Sequence, residues 1–173
     1  GQHADLVVLA AKTDPQARAK GVSLLLVDTH LDGFKKGTNL DKIGLHSQDT
    51  SELFFDNVKV PKENILPNVK GLKGPLSCLT KARYGIAWGT VGAAMDCYDT
   101  ALRYAKERIQ FDRPIAGFQL QQKKLAEMLT DITKAQLMNW RLGVLMNEHK
   151  ATPQQVSMAK RNGCEIASQI TRD

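Results

Sequence analysis

Hydrophobic positions along this chain change period near its middle, and the change divides it into two kinds of structure. Before residue 66 the apolar runs are short and are separated by turn-forming residues. Leu6–Ala11 and Val22–Val27 are apolar and strand-prone, with a turn-like linker starting at Asp14-Pro15 between them. Leu31-Asp32-Gly33-Phe34 reads as another turn. Glu52–Val60 ends in the alternation of a half-buried strand, and Pro61 is expected to stop it. Asn64–Gly74 contains Pro67, Gly71 and Gly74, which suits a crossing between domains.

Beyond that crossing the spacing becomes helical. No proline interrupts the chain from Pro75 to Arg108, and Pro75 sits where a first helical turn tolerates it. Gly85, Gly89 and Gly92 fall on nearly one face of this helix, with Ala93. Each helical glycine costs roughly 1 kcal/mol relative to alanine. A row of them therefore points to close approach of another helix or of a ligand, and close helix packing is the favoured expectation. Phe111–Pro114 breaks the helix. A second helix is expected from about Gln119 to Glu148, with Leu120, Leu125, Met128, Leu129, Ile132, Ala135, Leu142 and Leu145 as its apolar stripe. Thr152-Pro153-Gln154-Gln155 combines an N-cap, a proline at the first helical position and a capping-box glutamine. The third helix is expected to run to the chain end. The predicted class is α+β: an antiparallel β-barrel or sandwich segment over about residues 5–62, then three long antiparallel helices.

Composition narrows the function classes. The chain has 173 residues and a formal net charge of +6. Residues 1–70 carry 9 basic and 9 acidic side chains, and residues 71–173 carry 15 and 9, so the excess lies entirely in the helical part. A solvated helical surface accounts for this, and attraction of anionic cofactor phosphates is the functional alternative. No basic stripe interleaved with aromatics and no zinc or helix-turn-helix signature supports nucleic-acid binding. Cys78, Cys97 and Cys164 are odd in number and lack paired spacing, which argues for buried thiols in a reducing compartment. The histidines at 3, 30, 46 and 149 are scattered, so no metal site is expected. No apolar run approaches the roughly 20 residues of a membrane-spanning helix. No initiator Met or leader pattern precedes the first strand-like run, so the sequence reads as part of a larger protein.

Two segments carry the most specific signal: Ala82-Arg83-Tyr84-Gly85-Ile86-Ala87-Trp88-Gly89, and Glu107-Arg108-Ile109-Gln110-Phe111-Asp112-Arg113-Pro114-Ile115. With them the chain resembles the flavin-dependent acyl-CoA dehydrogenase family over essentially its whole length. From Glu63-Asn64-Ile65-Leu66-Pro67 onward it is most similar to the glutaryl-CoA dehydrogenase branch, including Leu72–Pro75, Gln121–Ala126 and Lys160–Cys164. Residues 1–62, with Asp32–Gly37 and Ile43–Phe55, are more similar to long-chain and general bacterial acyl-CoA dehydrogenases. The resemblance implies the later part of a middle β-domain (1–66), a linker (67–74) and an incomplete C-terminal helical bundle (75–173). It also implies FAD as cofactor, an acyl-CoA substrate, electron-transfer flavoprotein or another acceptor as partner, a homotetramer, and a bacterial cytoplasmic or mitochondrial matrix location.

The same resemblance assigns residues. Leu76, Ser77, Cys78, Leu79 and Thr80 correspond to the substrate-lining stretch, and Thr80 stands where many relatives carry Asp. Arg83 matches the arginine beside the acyl-CoA. A guanidinium is a permanent planar donor suited to amide or phosphate oxygens. Its bland alternative is a surface ion pair. Arg108 and Gln119 match residues that contact the FAD of a neighbouring subunit, with Gln110 and Phe111 beside them. For Arg108 the bland alternative is a cation complementing the helix C-terminus, and for Phe111 it is core packing.

The reaction so implied removes a proton alpha to the thioester, which requires a carboxylate. Some branches place it immediately before the arginine matching Arg83. Ala82 occupies that position here and cannot accept a proton. The resemblance therefore puts the catalytic Glu beyond Asp173 and leaves no catalytic residue in this chain. Asp96, Asp99, Glu107 and Glu127 read as helix-surface charges. Glutaryl-CoA oxidation, with or without decarboxylation to crotonyl-CoA, is the leading expectation. A medium- or long-chain monocarboxylic acyl-CoA dehydrogenase and a non-catalytic assembly module are the alternatives.

Overall fold

A computed structural model describes residues 1–173, which form two compact units, Gly1–Ser77 and Cys78–Asp173. In the first, β1 (Leu6–Lys12) and β2 (Val22–Asp28) pair antiparallel, with Leu6 opposite Asp28 and Lys12 opposite Val22. Val27 is fully buried and Leu24 nearly so. The Pro/Gly-rich segment after Pro61 runs back along β2. The Asn64 amide donates to the Leu26 carbonyl (3.0 Å). The backbone N–H groups of Leu66 and Gly71 donate to the carbonyls of Leu24 (2.9 Å) and Val22 (2.8 Å). These bonds occupy edge carbonyls that would otherwise need water or another strand.

A second antiparallel pair joins β3 (Phe34–Asn39) to β4 (Ser51–Phe55). Phe34 lies opposite Phe55, their rings edge to face with centroids 5.1 Å apart. The expected strand over Glu52–Val60 is therefore shorter: it ends at Phe55. Asn57 turns to φ +52° and the Asp56 N–H bonds the Gly33 carbonyl (2.9 Å), so the chain bends two residues after the rings meet. Gly33 has φ +88°, and a Cβ there would lie 2.1 Å from the Asp56 carbonyl oxygen, so this turn requires glycine. Both pairs are antiparallel, and neither closes into a barrel within residues 1–173.

The helices are α1 (Lys73–Glu107), α2 (Gln119–Asn147) and α3 (Pro153–Ile170). A short hairpin, β5 (Ile109–Gln110) with β6 (Arg113–Pro114), joins α1 to α2. Two buried layers lie in the second unit. One holds Ala87, Leu142, Val156 and Ala159, and the other Ala94, Met128, Ile132 and Ile170. Small residues from α1 in both layers let the helices approach closely. Between α1 and α2, fully buried Asn139 donates from Nδ2 to the Ala87 carbonyl (2.7 Å), while its Oδ1 has no partner.

Two helix expectations need correction, and the glycine face of α1 meets no partner within residues 1–173. A Cβ on Gly85, Gly89 or Gly92 would meet nothing within 4 Å, so this glycine face is not packed within the chain. The close contacts fall elsewhere: a Cβ on Gly163 would lie 2.4 Å from Thr90 Oγ1 and 3.2 Å from the Ala87 carbonyl oxygen. Leu120 and Leu129, expected in the α2 stripe, are 77% and 48% exposed, because α1 and α3 cover only the side of α2 carrying Met128, Ile132, Ala135, Asn139 and Leu142. The third helix stops at Ile170 rather than at the chain end, and Thr171 to Asp173 form a terminal turn.

Cap chemistry sets the other ends. His149 takes φ +55° after α2, and the Lys150 N–H reaches back to the Leu145 carbonyl (2.8 Å), closing the helix without glycine. At α3 the Thr152 N–H bonds Gln155 Oε1 (2.8 Å) and the Gln155 N–H bonds Thr152 Oγ1 (3.3 Å), a complete capping box. Thr152→Ala is expected to lower stability by about 1 kcal/mol, read as a shifted urea midpoint at constant slope. A change under a few tenths would mean that the α2–α3 packing alone fixes this helix start.

Candidate functional site

The residues singled out from sequence fall into two groups on α1 and its C-terminal turn. Leu76, Ser77, Cys78, Leu79, Thr80 and Arg83 all lie in the early turns of α1. Helical spacing puts Leu76, Thr80 and Arg83 on one face, with Leu79 beside them. The same face carries buried Ala87, Val91 and Ala94 further along. Ser77 and Cys78 point to other sides. The Ser77 hydroxyl donates to the Gly74 carbonyl in its own helix (2.7 Å), and Cys78 is an exposed free thiol. Arg83 is half-buried and belongs to no salt bridge. The arginine ion pairs here are Arg103–Asp99 (3.0 Å) and Arg161–Glu165 (3.7 Å). Within residues 1–173 Arg83 has no carboxylate partner.

The second group is assembled by the hairpin. Arg108 closes α1, its N–H bonding the Tyr104 carbonyl (2.8 Å), and its own carbonyl accepts from the Ile115 N–H (2.9 Å). Between these points Ile109 pairs with Pro114 and Gln110 with Arg113, leaving a two-residue turn. Such turns need positive φ at both positions, which favours Asn and Gly. Here Phe111 (φ 54°) and Asp112 (φ 62°) adopt it. Phe111 is 86% exposed, so it joins no core within residues 1–173. Its ring edge approaches Phe118 (centroids 6.1 Å, 84°), and Gln119 begins α2 directly after. The Gln122 amide ties the connection by donating to the Ala116 carbonyl (3.1 Å). Arg108, Gln110 and Gln119 are exposed, and Arg108 has no carboxylate partner. Its position at the α1 C-terminus is one where a cation complements the helix dipole.

The two groups do not meet. Arg83 and Arg108 are separated by about 37 Å of rigid helix at 1.5 Å per residue. One small ligand cannot touch both within this chain. Of the carboxylates read as helix-surface charges, Asp99 pairs with Arg103 and Glu127 with Lys123, each at helical i,i+4 spacing. Asp96 and Glu107 are exposed. A carboxyl with a lowered pKa lies in the first unit. The His30 backbone N–H, 2.8 Å away, lowers Asp28. No group of three or more His, Cys, Asp or Glu could hold a metal ion. No helix is long and apolar enough to cross a membrane.

Sequence reasoning passed over Arg113 and Phe118. The Arg113 guanidinium lies over the Phe118 ring, 4.1 Å from its centroid. The available signal was two aromatics and a cation around one proline-containing turn.

Comparison with known proteins agrees with this architecture. Residues 69–173 match the family described as acyl-CoA dehydrogenase, C-terminal domain. The caffeyl-CoA reductase–Etf complex subunit CarC of Acetobacterium woodii is 38% identical over 96% of this chain and 44% of its own length. The mitochondrial short/branched chain specific acyl-CoA dehydrogenase of Rattus norvegicus is 33% identical over 98% of this chain and 40% of its own. A glutaryl-CoA dehydrogenase from Mycobacterium smegmatis, solved in complex with FADH2, superposes with a TM-score of 0.92 at 37% identity, over 99% of this chain and 43% of that one. The chain thus spans less than half the length of the curated relatives it matches. On the family match, the shared fold and the similarity over nearly every residue, the chain belongs to the acyl-CoA dehydrogenase family.

Proposed function

We propose that the whole protein is an FAD-dependent acyl-CoA dehydrogenase acting on glutaryl-CoA. The observation that carries this reading is the hairpin end of α1, where an unpaired guanidinium, two exposed carboxamides and an outward-facing aromatic ring are gathered. That donor set fits a flavin dinucleotide. Arg108 offers a charge-assisted contact to a phosphate, Gln110 and Gln119 offer amides to polar edges, and Phe111 offers a flat apolar face. When bound, FAD supplies the two-electron acceptor for the hydride leaving the substrate β carbon. Arg83, half-buried and unpaired, binds and orients the acyl-CoA with the Leu76–Thr80 stretch. The separation along α1 supports assigning the two groups to different ligands, the FAD site being completed by a neighbouring subunit of a homotetramer.

Ala82 offers no base, so the carboxylate that takes the α proton comes from another part of the whole protein. The two strand pairs belong to the later part of a middle β-barrel domain over residues 1–66, followed by a linker (67–74) and bundle helices (75–173). An apolar groove of about 600 Å³, lined in part by Tyr104, Leu125, Met128 and Ile170, supports a bundle completed by other parts of the protein. Electron-transfer flavoprotein is the proposed acceptor, and a bacterial cytoplasm or mitochondrial matrix the proposed location.

A monocarboxylic acyl-CoA is the second reading for the substrate, favoured by the similarity to the branched-chain dehydrogenase. Anaerobic addition of glutaryl-CoA to the whole protein should bleach its flavin absorbance. Bleaching by butyryl- or branched acyl-CoA but not by glutaryl-CoA would replace the substrate and keep the reaction. A flavin-free protein, inert to every acyl-CoA after FAD is added, would leave only an assembly role.

A further inference from the structure

The β5–β6 turn holds an aromatic residue in an unfavourable place. Phe111 is in the left-handed region and 86% exposed, so neither backbone preference nor burial stabilises it there. A bulky side chain at positive φ is a true outlier, and such strain persists only where surroundings fix it. The groups that touch the ring region are few. Phe118 meets Phe111 edge to face, and Arg113 covers the face of Phe118 at 4.1 Å. Arg113 is exposed and in no salt bridge, so its guanidinium is available for that face. The hairpin register fixes the geometry, since Arg113 sits opposite Gln110, one residue before the turn.

We propose that Arg113 is a positioning residue. Seated on Phe118, it fixes the ring against which Phe111 leans, and so presents Phe111 as a preordered face for a planar aromatic ligand. This rests on the reading that the hairpin end of α1 meets the flavin dinucleotide. It adds a reason why a strained phenylalanine is kept open to solvent: a ring already ordered loses less entropy when the ligand stacks on it.

The test uses the whole protein labelled with 4-fluorophenylalanine, the Phe111 signal being assigned by its loss in Phe111→Leu. In Arg113→Gln the Phe111 fluorine resonance should shift and narrow, while Arg113→Lys, which keeps a cation on the ring, should restore most of it. Flavin affinity of the reconstituted protein should fall roughly two- to fivefold in Arg113→Gln, the range of an exposed cation–π contact. Phe118→Leu breaks the same link from the other side and serves if Arg113→Gln folds poorly. An unchanged Phe111 resonance in both variants overturns the proposal. If flavin affinity nevertheless falls, Arg113 touches the cofactor directly instead. A moved resonance with unchanged flavin affinity would keep the positioning link and remove the flavin reading of this end.

Discussion

Asn139→Asp is expected to destabilise the helical unit by about 3–5 kcal/mol at neutral pH, the largest effect foreseen for any substitution here. Asn139 is fully buried, and its one hydrogen bond runs from Nδ2 to the Ala87 carbonyl. A carboxylate at this place would lose that donor and set negative charge against a carbonyl oxygen. Burial would push the new carboxyl's pKa upward. The cost is therefore absent below the unfolded-state value of about 3.9 and grows as pH rises through the folded-state pKa. Urea unfolding of the whole protein at pH 7 and at pH 5 checks this: the deficit should shrink at the lower pH. Asn139→Leu should cost less, because it removes the unpartnered Oδ1 together with the donor. A deficit below about 1 kcal/mol for Asn139→Asp at pH 7 would mean that water reaches this site.

The second large effect concerns the cofactor end. On the proposed FAD contact of Arg108, Arg108→Ala is expected to remove a charge-assisted hydrogen bond of roughly 1.5–3 kcal/mol. That corresponds to about one to two decades in FAD affinity. Arg83→Ala should leave flavin content nearly unchanged and instead raise KM for acyl-CoA or lower kcat. Bound flavin after dilution and steady-state rates on the same preparations separate the two. Full flavin retention by Arg108→Ala, or flavin loss confined to Arg83→Ala, would overturn these roles and leave Arg108 as a helix-end cation alone.

What the sequence disclosed of this fold follows from how local each determinant is. The Thr152–Gln155 cap was legible because both of its bonds are made within four residues. The ends of α1 and α2 were readable because proline, the turn and the apolar spacing coincide there. Strand β3 was not, since Phe34 is the one apolar side chain in its six residues and its pairing partner lies across an eleven-residue loop. The glycine face on α1 was legible as a face, but its partner was not, for a related reason. Spacing shows which residues share a face but not what opposes it, and the close contacts proved to sit at Gly143 and Gly163 on the partner helices. At the candidate site, Arg83, Arg108 and Gln119 were singled out through family likeness rather than periodicity. Arg113 was missed because a cation–ring contact depends on where the turn carries two side chains.

The length of α1 has a consequence for how the protein breathes. Its 35 residues extend about 52 Å, and the residues it buries against α2 and α3 lie mostly near its middle, at Ala87, Val91 and Ala94. Amides there should exchange with deuterium only through global opening, while those in the terminal turns exchange through fraying. Both proposed ligand groups sit toward those fraying turns. Cofactor should therefore slow exchange around Arg108, and acyl-CoA around Arg83, each leaving the other end's rate unaltered.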